Sequence, residues 1–160
     1  MVMKSLVAKV VLCVVVIEVI GALPAVFTND AIQTWNATLI FPVGRPPNWV
    51  FGPVWATLFL LLGLSVALIW HVRCDPKPKK LALQVFSVQF ALNLLWSPMF
   101  FGLQRMGLAL IVIVLLWLAI TLTFRLFSKI HPIAGWLLAP YLAWVSYATY
   151  LNAAFYLLNR

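Results

Sequence analysis

Acidic side chains are almost missing from this chain: Glu18, Asp30 and Asp75 are the only three in 160 residues. Charged residues of both signs make up 9%, against about a quarter in an average soluble domain. That is too little charge to coat a water-facing surface, which excludes a soluble globular domain. Cysteine is equally sparse. Cys13 in an apolar run and Cys74 in a basic loop make neither a disulfide framework nor a thiolate metal site. The two histidines, His71 and His131, and the scattered acids leave no paired carboxylates, Ser/His/Asp set or His-rich metal cluster, so catalysis by familiar polar groups is not expected. What remains is apolar: 65% of the residues are hydrophobic and 14% aromatic, with eight Trp, eleven Phe and four Tyr. The chain reads as a membrane protein.

The net charge of +8 does not point to nucleic acid, because the basic residues sit in the gaps between apolar runs, where Lys and Arg report membrane orientation. Those gaps and the Pro/Gly-rich stretches leave five apolar segments, approximately 5–27, 48–71, 81–102, 106–127 and 132–158. Each is near the ~20 residues a helix needs to cross a bilayer, and about twice the length of a membrane strand. Backbone polar groups must be bonded internally in hydrocarbon. The expectation is therefore an all-α integral membrane protein, a five-transmembrane-helix bundle forming a single domain over 1–160, with membrane lipid as its surroundings. The first segment extends past Glu18 to Phe27, longer than a signal-peptide core of about 7–15 residues, so it reads as an uncleaved helix.

Five crossings put the termini on opposite faces. Lys4, Lys9, Arg73, Lys77, Lys79, Lys80, Arg125 and Lys129 then fall on the amino-terminal side, and Arg45, Arg105 and Arg160 on the other. In a bacterial inner membrane, the expected location, this bias puts the amino terminus in the cytoplasm. The first connection, 28–47, is about twenty residues long and carries Trp35, Pro42, Gly44, Pro46 and Pro47; such loops are commonly lids or binding loops. It shares its face with Arg160. His71 and His131 map to the opposite face, as interfacial polar residues rather than ligands. Glu18 stands out: a carboxyl inside a membrane helix marks either a functional position or a buried polar pairing.

The aromatic residues separate by position. Trp49, Trp70 and Trp136 lie at segment ends, as interfacial indoles do. Deeper ones recur at helical spacing. Tyr141, Trp144, Ala148, Leu151, Asn152 and Phe155 share one face of the fifth segment; Asn93, Trp96, Ser97 and Phe100 one face of the third; Phe51, Trp55 and Phe59 one face of the second. Such stripes serve either packing or the walls of a small-molecule pocket, and the buried amides either helix-to-helix bonding or ligand contact. Pro24, Pro98 and Pro140 each remove a helical hydrogen bond and introduce either a kink that opens space between helices or a plain bend.

Three stretches carry a family resemblance. They are Trp35 and Pro42 leading into Pro46-Pro47-Asn48-Trp49-Val50-Phe51-Gly52-Pro53-Val54-Trp55; Gln89-Phe90-Ala91-Leu92-Asn93-Leu94-Leu95-Trp96-Ser97-Pro98-Met99-Phe100-Phe101-Gly102; and Pro140-Tyr141-Leu142-Ala143-Trp144 leading to Ala148 and Leu151-Asn152. In this order they resemble the signature stretches of the translocator protein family, also called tryptophan-rich sensory protein or peripheral benzodiazepine receptor (TspO/MBR). The resemblance implies a five-helix bundle, commonly homodimeric, with a cavity below the first loop that accepts porphyrins, sterols and synthetic ligands. Carried over by position, Trp55, Asn93, Trp96, Trp144, Ala148 and Leu151 are implied as lining residues and Trp35 as part of the cover. With the helical faces above, the expected ligand-binding set is Trp35, Phe51, Trp55, Asn93, Trp96, Phe100, Tyr141, Trp144, Ala148, Leu151 and Asn152.

The chain departs from the family in three places. Many members carry a Trp where Gly44 stands and a Lys where Phe41 stands, which leaves a looser lid or one shaped for another ligand. The fourth helix often carries an acid where Val112 stands, so Glu18 is the only intramembrane carboxyl. The aromatic that usually follows Leu-Asn is Ala153. A sterol pattern, L/V-x(1–5)-Y-x(1–5)-K/R, is met by Leu151, Tyr156 and Arg160, and is equally the ordinary composition of a membrane interface.

The leading expectation is a receptor or carrier for protoporphyrin, haem or a sterol, with no obligatory cofactor, no metal, and a homodimer built on the third segment through Ser87 and Ala91 or on the second through Gly63 and Ala67. One alternative is light-dependent porphyrin breakdown assisted by Trp55 and Trp144 as catalytic residues. Another is a regulatory sensor acting through partners.

Overall fold

The structure, a computed structural model, describes the backbone of residues 2–160 and the side chains of residues 5–160. The side chain of Lys4, counted above with the basic end, lies outside the described residues. Among these residues there are six α-helices and no strand: α1 (Val2–Gln33), α2 (Asn48–His71), α3 (Pro76–Ser97), α4 (Met106–Ile130), the short α5 (Pro132–Trp136) and α6 (Ala139–Leu158). Four regions are long and apolar enough to cross a membrane: Ser5–Gln33, Asn48–His71, Pro76–Gly102 and Met106–Ile130. Apolar side chains exposed along α1 and α4, such as Val11, Val15, Val19, Ile111, Leu115 and Leu118, suit a lipid-facing surface.

The expected fifth span is two helices rather than one. Pro132 opens α5, with His131 Nδ1 accepting the Ala134 N–H at 3.3 Å. Pro140, eight residues on, has no N–H to continue the ladder, so the chain turns at Leu137 and Leu138, where Leu138 N donates to Gly135 O at 2.9 Å. Pro140 thus stands in the first turn of α6 rather than kinking a longer helix. With its Tyr, Trp, Ser, Thr and Asn content, α6 is not among the four regions above.

Two other boundaries move markedly. α1 continues through residues expected in the loop; Thr28 Oγ1 donates to Pro24 O (2.9 Å) within it, and the N–H and hydroxyl of Thr34 both donate to Asp30 O where the helix ends. Only residues 34–47 remain between helices, with a single 3-10 turn at Asn36–Thr38. α3 starts at Pro76, not 81: Asp75 Oδ1 accepts the Lys77 N–H at 2.9 Å as an N-cap, so the basic run belongs to the first turns of a helix. Lys79 Nζ then donates to Trp70 O and Val72 O, both at 2.8 Å, placing a cation on the carboxyl end of α2. The π-helical segment Pro98–Gly102 ends the third region, with Leu103 N donating to Pro98 O at 2.8 Å.

The core lies where α2, α3, α4 and α6 meet, around Leu62, Ile69, Phe86, Ile113, Leu116, Ile120, Phe127 and Tyr141. α5 is held to α2 by Ser65 Oγ donating to Ala134 O at 2.6 Å. α1 lies along α2 so closely that a Cβ on Gly63 would stand 2.6 Å from the Val14 Cα. Gly63 and the fully buried Ala67 are therefore used within the chain, and the expected alternative pairing surface on the second segment is not free. Ser87 and Ala91 on α3 are exposed.

Candidate functional site

A cavity of about 470 Å³ opens between α1, α2, α3, the π segment and α6, beneath the 34–47 connection. Its size lies within the range of about 300–1,000 Å³ typical of small-molecule sites. Helical periodicity sets the α2 side. Phe51, Trp55 and Phe59, each four residues apart, project the same way, and Trp55 and Phe59 pack with ring centroids 5.3 Å apart. Opposite stand Asn93, Trp96 and Phe100, with Trp96 and Phe100 centroids 5.5 Å apart. Ala148, Leu151 and Asn152 of α6 close the third side.

Asn152 fixes this corner. Its Oδ1 accepts from Trp96 Nε1 at 2.9 Å and its Nδ2 donates to Met106 O at 3.0 Å, tying α3, α6 and the start of α4 together. Both ends of the amide are engaged, so it orients the indole. Beneath the aromatic layer, Gln89 and Tyr141 are fully buried, and the Gln89 amide and Tyr141 hydroxyl find no partner among the described residues.

Eight of the eleven expected ligand-binding residues line the cavity: Phe51, Trp55, Asn93, Trp96, Phe100, Ala148, Leu151 and Asn152. Three do not. Trp35 packs edge-on against Phe100 at 5.9 Å, Tyr141 edge-on against Trp55 at 6.3 Å, and Trp144 edge-on against Phe51 at 5.8 Å. Each stands behind a ring that faces the space, because a helical stripe fixes the direction of a side chain and not which ring of a pair is in front. The sterol pattern does not form one surface. Leu151 faces the cavity, while Tyr156 and Arg160 are exposed and Tyr156 packs on Gly107.

The fourth wall was missed by periodicity of aromatics. It comes from α1, whose Glu18, Ala22, Ala25, Asn29 and Ile32 recur at i, i+4, i+7, i+11 and i+14. Small and polar residues at that spacing were a readable signal. Thr28 and Ser97 share a hydrogen bond of 3.1 Å that holds α1 to the end of α3.

The connection above the cavity is tethered, not loose. Arg45 N donates to Pro42 O at 3.3 Å, closing a turn in which Gly44 has φ +85°, a conformation that a Trp at this position would adopt only with strain. The turn's carbonyls are taken by α6: the Tyr147 hydroxyl donates to Gly44 O, and the Tyr150 hydroxyl to Val43 O at 3.2 Å. Asn159 clasps Ile40 from both sides, its Oδ1 accepting from Ile40 N (2.8 Å) and its Nδ2 donating to Ile40 O (3.1 Å). The Arg45 guanidinium lies 4.2 Å from the Phe41 ring centroid, donates to Asn48 Oδ1, and lines the cavity. Partial burial draws its pKa below the ordinary arginine value, and it remains a cation. The cavity lining includes no histidine or cysteine.

Comparison with known proteins follows the same regions. Residues 13–157 match the model of the TspO/MBR family. A tryptophan-rich protein TspO of Chlorobaculum tepidum is 36% identical over 157 residues, covering 98% of this chain and 99% of that protein. The protein CrtK of Rhodobacter capsulatus is 37% identical over 139 residues (87% of this chain, 85% of the relative), and the human translocator protein 40% over 119 residues (74% and 70%).

Proposed function

Because the chain belongs to the TspO/MBR family and is a multi-pass membrane protein, we propose that it is a receptor or carrier for a flat apolar ligand, protoporphyrin or haem, with sterols as further ligands. The cavity carries this reading: mostly apolar, aromatic on its α2 and α3 sides, with amides at fixed places and a cation at its mouth. A planar macrocycle finds stacking surfaces on Trp55 and Trp96, and its carboxylates a partner in Arg45. Haem binds in this reading through its ring and not through an axial histidine, since His131 caps α5 and His71 ends α2, at the helix end away from the loop.

Five segments cross the bilayer in this proposal, with α5 and α6 together forming the last. The 20 residues of α6 make about 30 Å of helix, enough for the hydrocarbon layer. In a bacterial inner membrane the basic end faces the cytoplasm. A homodimer forms through the exposed small residues Ser87 and Ala91 of α3, and Ala91→Phe is expected to abolish crosslinking between copies.

Titration of the purified protein with protoporphyrin, haem and a sterol, followed by Trp fluorescence, tests the reading. Trp55→Ala should weaken protoporphyrin binding by about 1.5 kcal/mol or more, since stacking adds to area burial. Trp136→Ala, on an exposed ring at the far end, should not. Equal losses would defeat the assignment. Light-dependent porphyrin breakdown is the weaker reading, because of Trp55 and Trp144 only the first faces the space. Porphyrin bleaching no faster with protein than in detergent alone would remove it.

A further inference from the structure

Glu18 stands at the middle of α1, sixteen residues from Val2 and fifteen from Gln33. At about 1.5 Å per residue it is more than 20 Å from either helix end, beyond the reach of a side chain to water along the helix. It lines the cavity, and among the described residues it has no hydrogen-bond or ion-pair partner. The wall rising from it is Gly21, Ala22 and Ala25, side chains too small to screen it from the space. Gly21 lies directly against the Phe59 ring, which brings an aromatic face within one helical turn of the carboxyl.

A carboxyl at this depth is costly unless something supplies a partner. The described residues supply none, and the cavity leads to it. Its other charged lining group, Arg45, lies at the opposite end, already engaged with Phe41 and Asn48. The space therefore has an acidic inner pole and a basic outer one, joined by aromatic walls.

We propose that Glu18 is the recognition group for a basic nitrogen carried on an apolar aromatic body. The ammonium enters first and pairs with the carboxyl beside the Phe59 face, the rings lie between Trp55 and Trp96, and any acceptor group is left under Arg45. This rests on the reading of the cavity as a ligand site, and adds to it a class of cationic ligand that porphyrin dicarboxylates do not represent. It also sets an orientation for porphyrins, whose carboxylates turn toward Arg45 and away from Glu18.

The experiment uses the full chain in discs of zwitterionic lipid and two probes of one shape, 1-pyrenemethylamine and 1-pyrenemethanol, read by quenching of Trp fluorescence. The amine is expected to bind about tenfold tighter than the alcohol, and Glu18→Gln to abolish that preference while leaving alcohol binding within about twofold. Retained alcohol binding reports that the variant is folded. Glu18→Met, of similar length and at ease in hydrocarbon, repeats the measurement if the amide variant does not fold. A preference that survives both substitutions, or none in the unaltered protein, overturns the proposal. Displacement of pyrenemethanol by protoporphyrin separates the two levels. Displacement without an amine preference removes the role of Glu18 alone, and no displacement of either probe removes the cavity reading with it.

Discussion

The cavity's walls are made in two ways. On the α2, α3 and α6 side, large rings lock one another, and Asn152 ties Trp96 to the start of α4. On the α1 side, the central Gly21, Ala22 and Ala25 contribute almost no bulk, and the helix is positioned by its close approach to α2 at Gly63 and by the Thr28 and Ser97 hydroxyls. The first wall defines the space by what fills its surroundings. The second defines it by what is left out. Shape on the aromatic side should therefore depend on packing and hydrogen bonds, and on the α1 side on the absence of side-chain volume.

The largest effect is expected where the two designs meet. Gly63→Val would drive a side chain into the Val14 backbone, separating α1 from α2. The expected cost is about 3 kcal/mol with loss of ligand binding, measured by thermal unfolding in detergent and by porphyrin titration. Asn152→Leu attacks the aromatic side instead. It orphans the Trp96 N–H and removes the α6 bond to the Met106 carbonyl, and should cost about 2 kcal/mol of stability with weakened binding. Ala25→Leu sharpens the contrast, because it fills space on the α1 side and breaks no contact. Affinity for protoporphyrin should fall about tenfold while the melting temperature stays unchanged. A fall in both would mean that the α1 wall is packed after all. The smallest change is Tyr150→Phe, which removes one bond to the loop carbonyl of Val43. It should cost about 1 kcal/mol of loop closure and appear as faster ligand dissociation in stopped-flow measurements, with little change in stability.

What the sequence made legible follows the same division. The second segment, 48–71, coincides with α2, because Pro47 precedes it and charged residues follow it. Aromatic spacing located Phe51, Trp55, Trp96 and Phe100 on the walls they occupy, since large residues at period 3.6 leave a strong trace. The loss of hydropathy at Thr28, Asn29 and Asp30 read as the end of a helix. α1 nevertheless runs on to Gln33, because its backbone keeps the helical bonds that hydropathy does not report. Pro140 read as a kink within one long helix, although a proline in the first turn after a break fits the same string. Trp144 and Tyr141 share the expected face of α6, yet Phe51 and Trp55 from α2 pack edge-on against them, which spacing within one helix does not reveal.

The clasp between Asn159 and Ile40 has a practical consequence for anyone labelling this protein. It joins the last turn of α6 to the strip of chain that covers the cavity, so residue 160 sits at the doorway. A fluorescent reporter or purification handle joined at Arg160 would crowd the entrance and pull on the clasp, slowing or distorting ligand exchange in a way that mimics weak affinity. The same handle joined at the start of α1 would lie a full helix length from Gln33 and the covering strip, and would leave the doorway untouched.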